Sequence, residues 1–231
     1  MRPSAFVLGA TGFVGREVVR QLAVRGTPVI AHVRPDSRTL EEWRTKLGAL
    51  GVTVDTTAWD VTALAETFRR TKPAHVYILI GTTRGRAKTD AVAGDIYEAV
   101  DFGLTKLTVD AVQASGERPR LVYLSGIGAD ASASGAYMRA RGKAEDVVRG
   151  SGLPWVIARP AIITGDRDES RLGERTAAIV GDGLLAVAGL VGARSLRDRY
   201  RSTTPDVLAS ALIRLAEAPG HDLVADGDAL R

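Results

Sequence analysis

The sequence predicts a doubly wound α/β fold, a parallel sheet with helices on both faces. Three observations predict it. Short apolar runs and helical periodicity alternate about six times along the chain. Several of the apolar runs are β-branched and uninterrupted, as in strands buried on both faces. A glycine-spaced turn joins the first run to the first helical stretch. The chain has 231 residues, with 45% hydrophobic and 25% charged side chains. That is the balance of one folded domain of ordinary size, long enough to bury its own core.

The elements follow in order. Phe6, Val7 and Leu8 form the first strand, ending in glycine. In the helix over residues 14–24, Val14, Val18 and Leu22 share one face. PVIAHV at 28–33 is a second strand, and a polar helix covers 39–50. Val52 to Val54 make a short third strand, and 61–70 a helix. AHVYILI at 74–80 is the clearest strand, followed by one long helix over 96–114. RLVYLS at 120–125 is the fifth strand. A helix over 137–151 follows, with Arg, Lys and Glu along its exposed side. PWVIAR at 154–159 is the sixth strand, closed by Pro160. A last helix spans 205–218, with Thr203 and Thr204 able to cap it, and 222–224 is a strand candidate. The expected organisation is one dinucleotide-binding domain over 1–231, with 161–231 forming a small substrate-side cap.

Composition excludes several functions. There is no cysteine, so disulfides, thiolate nucleophiles and Cys-ligated metal centres are out. His32, His75 and His221 are scattered and form no metal-ligand spacing, so no metal is expected. The net charge of +4, from 31 basic and 27 acidic residues, favours anionic small molecules without making a nucleic-acid binder. The amino-terminal MRPSAFVLGATGFVG has no uninterrupted apolar segment of the secretory kind. The longest apolar run, at 183–193, is far short of the ~20 residues of a spanning helix. The expectation is a cytoplasmic protein without stable membrane insertion.

Gly9-Ala10-Thr11-Gly12-Phe13-Val14-Gly15 is G-x-x-G-x-x-G, placed between a strand and a helix. In that context Gly9 allows the tight turn. Gly12 lets a pyrophosphate approach the backbone, and Gly15 permits close helix–strand packing. The amides of Gly12, Phe13 and Val14 are expected to face the anion, aided by the helix dipole. After the second strand, Arg34 and Arg38 suit the 2′-phosphate of NADP(H) better than the 2′-hydroxyl of NAD(H), although Asp36 lies between them. Asp60 is a candidate acceptor for the adenine amino group, with Val61 packing on the ring.

Ser125 closes the fifth strand; Tyr137 opens the next helix, with Arg141 four residues on and on the same face. A phenol with a reference pKa of ~10 needs help to move protons at neutral pH. A fixed neighbouring cation provides it by favouring phenolate. Ser125 would hold the substrate oxygen, Tyr137 would pass the proton, and Arg141 would tune Tyr137 and bind ribose.

Together these residues resemble the short-chain dehydrogenase/reductase superfamily in its atypical branch, and most closely the family of the human Tat-interacting oxidoreductase. Four segments carry the likeness: GATGFVG at 9–15, GTTRGRA at 81–87, YMRARGKAE at 137–145 and ARPAIITGDRDESRLGE at 158–174. The resemblance implies a Rossmann-type fold, an NADP(H) site and a Ser–Tyr–Lys-like centre. It carries the phosphate loop onto Gly9, Thr11, Gly12, Phe13, Val14 and Gly15, and a ribose-lining loop onto Gly81, Thr82 and Thr83. It carries the serine and tyrosine onto Ser125 and Tyr137. It places Arg159, Pro160, Ala161 and Ile162 beside the nicotinamide. One position departs from the pattern: Arg141 stands where the motif has lysine. Lys143 lies about 120° away around the helix and is no substitute. Guanidinium keeps the charge but not the geometry.

The activity this implies is an NADP(H)-dependent oxidoreductase of a small carbonyl or alcohol. A non-catalytic NADP(H)-sensing regulator is the alternative, and a homodimer or a regulatory protein partner is left open. The apolar segment 183–191 fits a substrate lid or subunit contact better than a membrane-surface anchor. Arg167, Arg171 and Arg175 fit a salt-bridged surface, with Arg171 within reach of an anionic substrate.

Overall fold

The computed structural model describes residues 4–82, 95–164, 202–220 and 222–231. Seven parallel strands form one sheet in the order β3-β2-β1-β4-β5-β6-β7. The strands are β1 (Ala5–Leu8), β2 (Val29–His32), β3 (Thr53–Asp55), β4 (His75–Ile78), β5 (Arg120–Leu124), β6 (Trp155–Arg159) and β7 (Leu223–Asp226). The helices are α1 (Gly15–Val24), α2 (Leu40–Gly48), α3 (Val61–Thr71), α4 (Leu104–Ser115), α5 (Ala136–Arg149) and α6 (Pro205–Glu217). The order reverses between β1 and β4, which opens a crevice at their carboxyl ends.

Strand β1 shows why the sheet is covered on both faces. Ala5 and Val7 pack into a core with α1 and α6, whereas Phe6 and Leu8 pack into a second core with α3, α4 and α5. All four are fully buried. Phe6 meets the edge of Phe68 at 5.0 Å between centroids, an aromatic contact that locks α3 to the sheet.

Three sequence expectations are corrected here. The helix expected over 96–114 begins instead as a π-helical turn, Tyr97–Gly103, before α4 continues it. Asp95 starts that turn by accepting the Tyr97 N–H at 3.0 Å through its side chain and the Ala99 N–H at 3.0 Å through its carbonyl. Residues 205–226, expected in a cap, complete the sheet: β7 pairs along β6 and α6 packs on α1. The signal was weak because β7 is a four-residue edge strand with Leu223 and Val224 partly exposed. Arg120 anchors this last unit, donating to the carbonyls of Ala216 and Ala218 at the end of α6 and of Gly220 beyond it. Thr204 does not cap α6; its hydroxyl serves the Asp206 carboxylate, and Pro205 starts the helix. No helix among the described residues is long and apolar enough to cross a membrane.

Burial lowers the pKa of both His32 and His75. Above about pH 6.5 each is neutral folded or unfolded, and neither affects stability. As pH falls below that value the unfolded chain binds protons that the folded chain refuses, so stability drops. The urea midpoint should therefore decline between pH 7 and pH 5. A His32→Gln/His75→Gln variant should flatten that slope, and an unchanged slope in the variant would count against the assignment.

Candidate active site

The site is built at the carboxyl edge of the sheet. The turn after β1 needs its glycines. Gly9 has φ 81°, and a Cβ there would run into the Leu79 carbonyl. A Cβ on Gly15 would collide with the Gly9 carbonyl. Gly12 is less crowded but still tight: a Cβ there would lie 3.1 Å from the Gly9 carbonyl. Its amide, expected to face an anion, instead donates to the Gly9 carbonyl at 2.9 Å. No side chain caps α1. Thr11 and Phe13 lie half-buried on the loop, and the Val14 side chain turns into the core. A bare turn and an uncapped helix start fit a pyrophosphate, which needs backbone approach and a positive helix end.

Beyond β2, Arg34 and Arg38 are exposed. Arg34 Nε lies 3.8 Å from Asp36 Oδ1, a loose contact between exposed side chains that leaves the guanidinium accessible. His32, at the strand end, bonds the Thr57 carbonyl through Nε2 at 2.8 Å and packs edge-on against Trp59 at 4.6 Å. Asp60 is exposed and caps α3, accepting the Ala63 N–H at 2.9 Å. Val61 packs toward the core holding Phe6 and Leu8. One Asp60 oxygen is therefore already engaged where an adenine acceptor was expected.

At the end of β4, Gly81 is exposed and its Cα sits against the Arg141 guanidinium; an added Cβ would strike Nη2. The Thr82 N–H donates to Asp101 Oδ2 at 3.2 Å. Thr83 lies outside the described residues, as do 167–175 and 183–191.

Tyr137 stands next to the residue that follows Ser125. The Tyr137 hydroxyl lies 3.7 Å from where a Cβ of Gly126, the residue after Ser125, would stand. Its ring is framed by Tyr97 at 5.4 Å between centroids and by Arg141 Cζ at 5.3 Å. Arg141, however, is buried rather than on the exposed side of its helix. Nη1 donates to the Leu124 carbonyl at 2.5 Å and the Tyr123 hydroxyl at 3.3 Å; Nη2 pairs with Asp101 at 2.8 Å. The guanidinium expected to reach ribose is turned inward.

Sequence reasoning missed two carboxylates. Asp101 is one. Glu145 is the other: fully buried, it accepts the Ser125 hydroxyl at 2.6 Å, Arg159 through Nε at 2.8 Å and Nη2 at 2.6 Å, and Arg149 at 2.8 Å. Helical spacing held the signal, since Tyr137, Arg141 and Glu145 recur every four residues on one face. Arg159, expected beside the nicotinamide, is thus committed to Glu145. Pro160 is buried and accepts the Ile127 N–H at 3.0 Å; Ile162 is exposed.

A family profile described as NAD(P)H-binding matches residues 9–182. Protein fmp52 of Aspergillus fumigatus, named mitochondrial, is 31% identical over 218 residues, covering 90% of this chain and 84% of that protein. Protein FMP52 of Candida albicans, also named mitochondrial, is 29% identical over 193 residues, covering 78% and 76%. Among solved structures, an NAD-dependent epimerase/dehydratase from Bacillus halodurans superposes with TM-score 0.68 at 17% identity, covering 98% of this chain and 95% of that one. ChuY, an anaerobillin reductase from Escherichia coli O157:H7, gives 0.64 at 18%, covering 96% and 94%. At these identities the solved structures share the fold. The mitochondrial relatives overturn the cytoplasmic expectation. That expectation rested on a missing apolar segment, which speaks to secretion and not to mitochondrial import.

Replacing Glu145 by Gln should destabilise the chain by about 1–3 kcal/mol, because the fully buried acceptor of the Ser125 hydroxyl and of Arg159 loses its charge while Arg159 and Arg149 keep part of their hydration. Urea unfolding measures it; a loss below about 1 kcal/mol would show that the cluster relaxes into solvent.

Proposed function

Because the chain belongs to the NAD(P)H-binding family, with the Rossmann-type fold of epimerases and short-chain reductases, we propose that it is an NADP(H)-dependent oxidoreductase acting on a small carbonyl or alcohol. The observation that carries this reading is Tyr137. Its hydroxyl lies 3.7 Å from the Cβ position of Gly126, the residue after Ser125, at the carboxyl edge of the sheet, and it makes no hydrogen bond among the described residues. A phenol left available at the ligand-binding edge of such a sheet can pass a proton to or from a reacting oxygen.

The chain's own groups have distinct tasks in this reading. The turn from Gly9 to Gly15 and the start of α1 hold the pyrophosphate. Gly81 and Thr82 face the ribose. A nicotinamide nucleotide held there would supply the hydride chemistry. Tyr137 moves the proton. Ser125 has one proton, and Glu145 holds it at 2.6 Å. Toward a substrate Ser125 therefore offers lone pairs, accepting from a hydroxyl instead of donating to a carbonyl. That leaves Tyr137 as the donor to a carbonyl oxygen.

The preference for NADP(H) rests on Arg34. A 2′-phosphate carries more charge than Asp36 and can take both edges of the guanidinium. Arg34→Ala should weaken NADPH binding roughly tenfold or more, the worth of a charged hydrogen bond, and leave NADH binding unchanged. Nucleotide fluorescence titration reads both constants. Equal losses for the two nucleotides would remove Arg34 from the 2′-phosphate.

Tyr137→Phe should cut turnover of a carbonyl panel by about a hundredfold or more, the usual scale of lost acid–base catalysis, while NADPH affinity holds. Retained turnover would dismiss Tyr137 as the proton donor.

A further inference from the structure

Asp101 and Arg141 form a buried ion pair that the proposed chemistry does not use directly. Their side chains are 0% and 6% exposed, and Asp101 Oδ1 lies 2.8 Å from Arg141 Nη2. The other Asp101 oxygen accepts the Thr82 N–H at 3.2 Å, and Arg141 also donates to the Leu124 carbonyl at 2.5 Å. The pair thus joins the loop after β4, the π-helical turn, the end of β5 and helix α5. As a source of stability such a pair is weak, because the cost of drying two charges offsets their attraction. Its position is more informative. Arg141 Cζ lies 5.3 Å from the Tyr137 ring centroid, and Tyr97 of the same π-helical turn packs on that ring.

We infer that Asp101 is a positioning residue of the reaction centre: it holds Arg141 against Tyr137 and cancels its charge, so that the phenol meets a neutral ion pair and not a bare cation. This rests on the reading of Tyr137 as the proton-transfer group. It also accounts for arginine at the motif position. A guanidinium can pair with Asp101 while it donates to the Leu124 carbonyl and the Tyr123 hydroxyl from one place.

Among the described residues, the titratable and charged groups around Tyr137 are Arg141 on its own helix, Tyr97 and Asp101 on the π-helical turn, and Tyr123 on β5. Burial pushes the Tyr123 hydroxyl up, so it stays neutral while an accessible phenol titrates. Burial also pushes the Asp101 carboxyl up, against the pull of Arg141 and the Thr82 amide. Arg141 stays charged throughout, because a guanidinium does not deprotonate in this range.

The test is tyrosinate absorbance at 295 nm against pH. The parent curve minus that of Tyr137→Phe isolates Tyr137, and each further variant is compared with its own Tyr137→Phe partner. Asp101→Asn should move the Tyr137 signal about one pH unit lower, a tenfold change in its ionisation constant. Arg141→Met should move it in the opposite direction. The double variant Asp101→Asn/Arg141→Met removes both charges together and should stay within about 0.3 unit of the parent. If a single variant fails to fold, the double variant carries the test, and a shift beyond about one unit in it overturns the proposal. So does an unmoved signal in a folded Asp101→Asn protein, whatever its loss of thermal stability. Failure of the functional reading is separate: it would appear as turnover retained by Tyr137→Phe while these titration shifts still occur.

Discussion

Everything at this site depends on how closely three stretches of backbone meet at Gly9. The turn after β1 has a left-handed residue, the Leu79 carbonyl beneath it and the start of α1 above it. Side chains are excluded by contact at two of the three loop glycines, so the loop is defined by what it lacks. The uncapped start of α1 follows from the same crowding. With Gly15 packed on Gly9, the chain enters the helix through Val14, whose side chain is buried in the core and cannot cap. A helix start without its own cap, at the switch point of a parallel sheet, leaves the positive end of its dipole for an anion.

A second constraint acts beside Tyr137: charges on α5 must meet opposite charges from neighbouring elements. Helix α5 turns Arg141 and Glu145 inward, one turn apart. Each meets its opposite charge from another element, Asp101 from the π-helical turn and Arg159 from β6. The two pairs align α5 with the sheet, and they orient the Tyr137 ring and the Ser125 hydroxyl. Gly142, between them, completes the fit, because any side chain there would enter the backbone at Asp130 and Ala131.

The fold was legible because strand periodicity and the glycine turn report local geometry. β1 to β6 and most helices lie where apolar spacing places them. What failed was information that only tertiary contact supplies. The turn at Tyr97–Gly103 carries no sequence signal of its π-helical form, and the partner of its buried Asp101 comes from a helix far along the chain. β7 is short and partly exposed, so its membership of the sheet rests on pairing with β6. In the site, the crowding at the loop glycines could be read from spacing. Asp101 and Glu145 could not, since a charged residue on a helix is ordinarily solvated, and only Glu145, two four-residue steps from Tyr137, carried a hint otherwise.

The arginine at position 141 shows how one exchange reorganises a centre. A lysine is a point charge on a flexible stem that can serve a neighbouring phenol and a ribose in turn. The guanidinium here is planar, buried and bonded to Asp101, the Leu124 carbonyl and the Tyr123 hydroxyl at once. Its orientation is fixed by those partners, and its charge is met at 2.8 Å before it reaches any ligand. Gly81 makes room for this arrangement: without a Cβ it lets the backbone after β4 pass close over the guanidinium and its Asp101 partner.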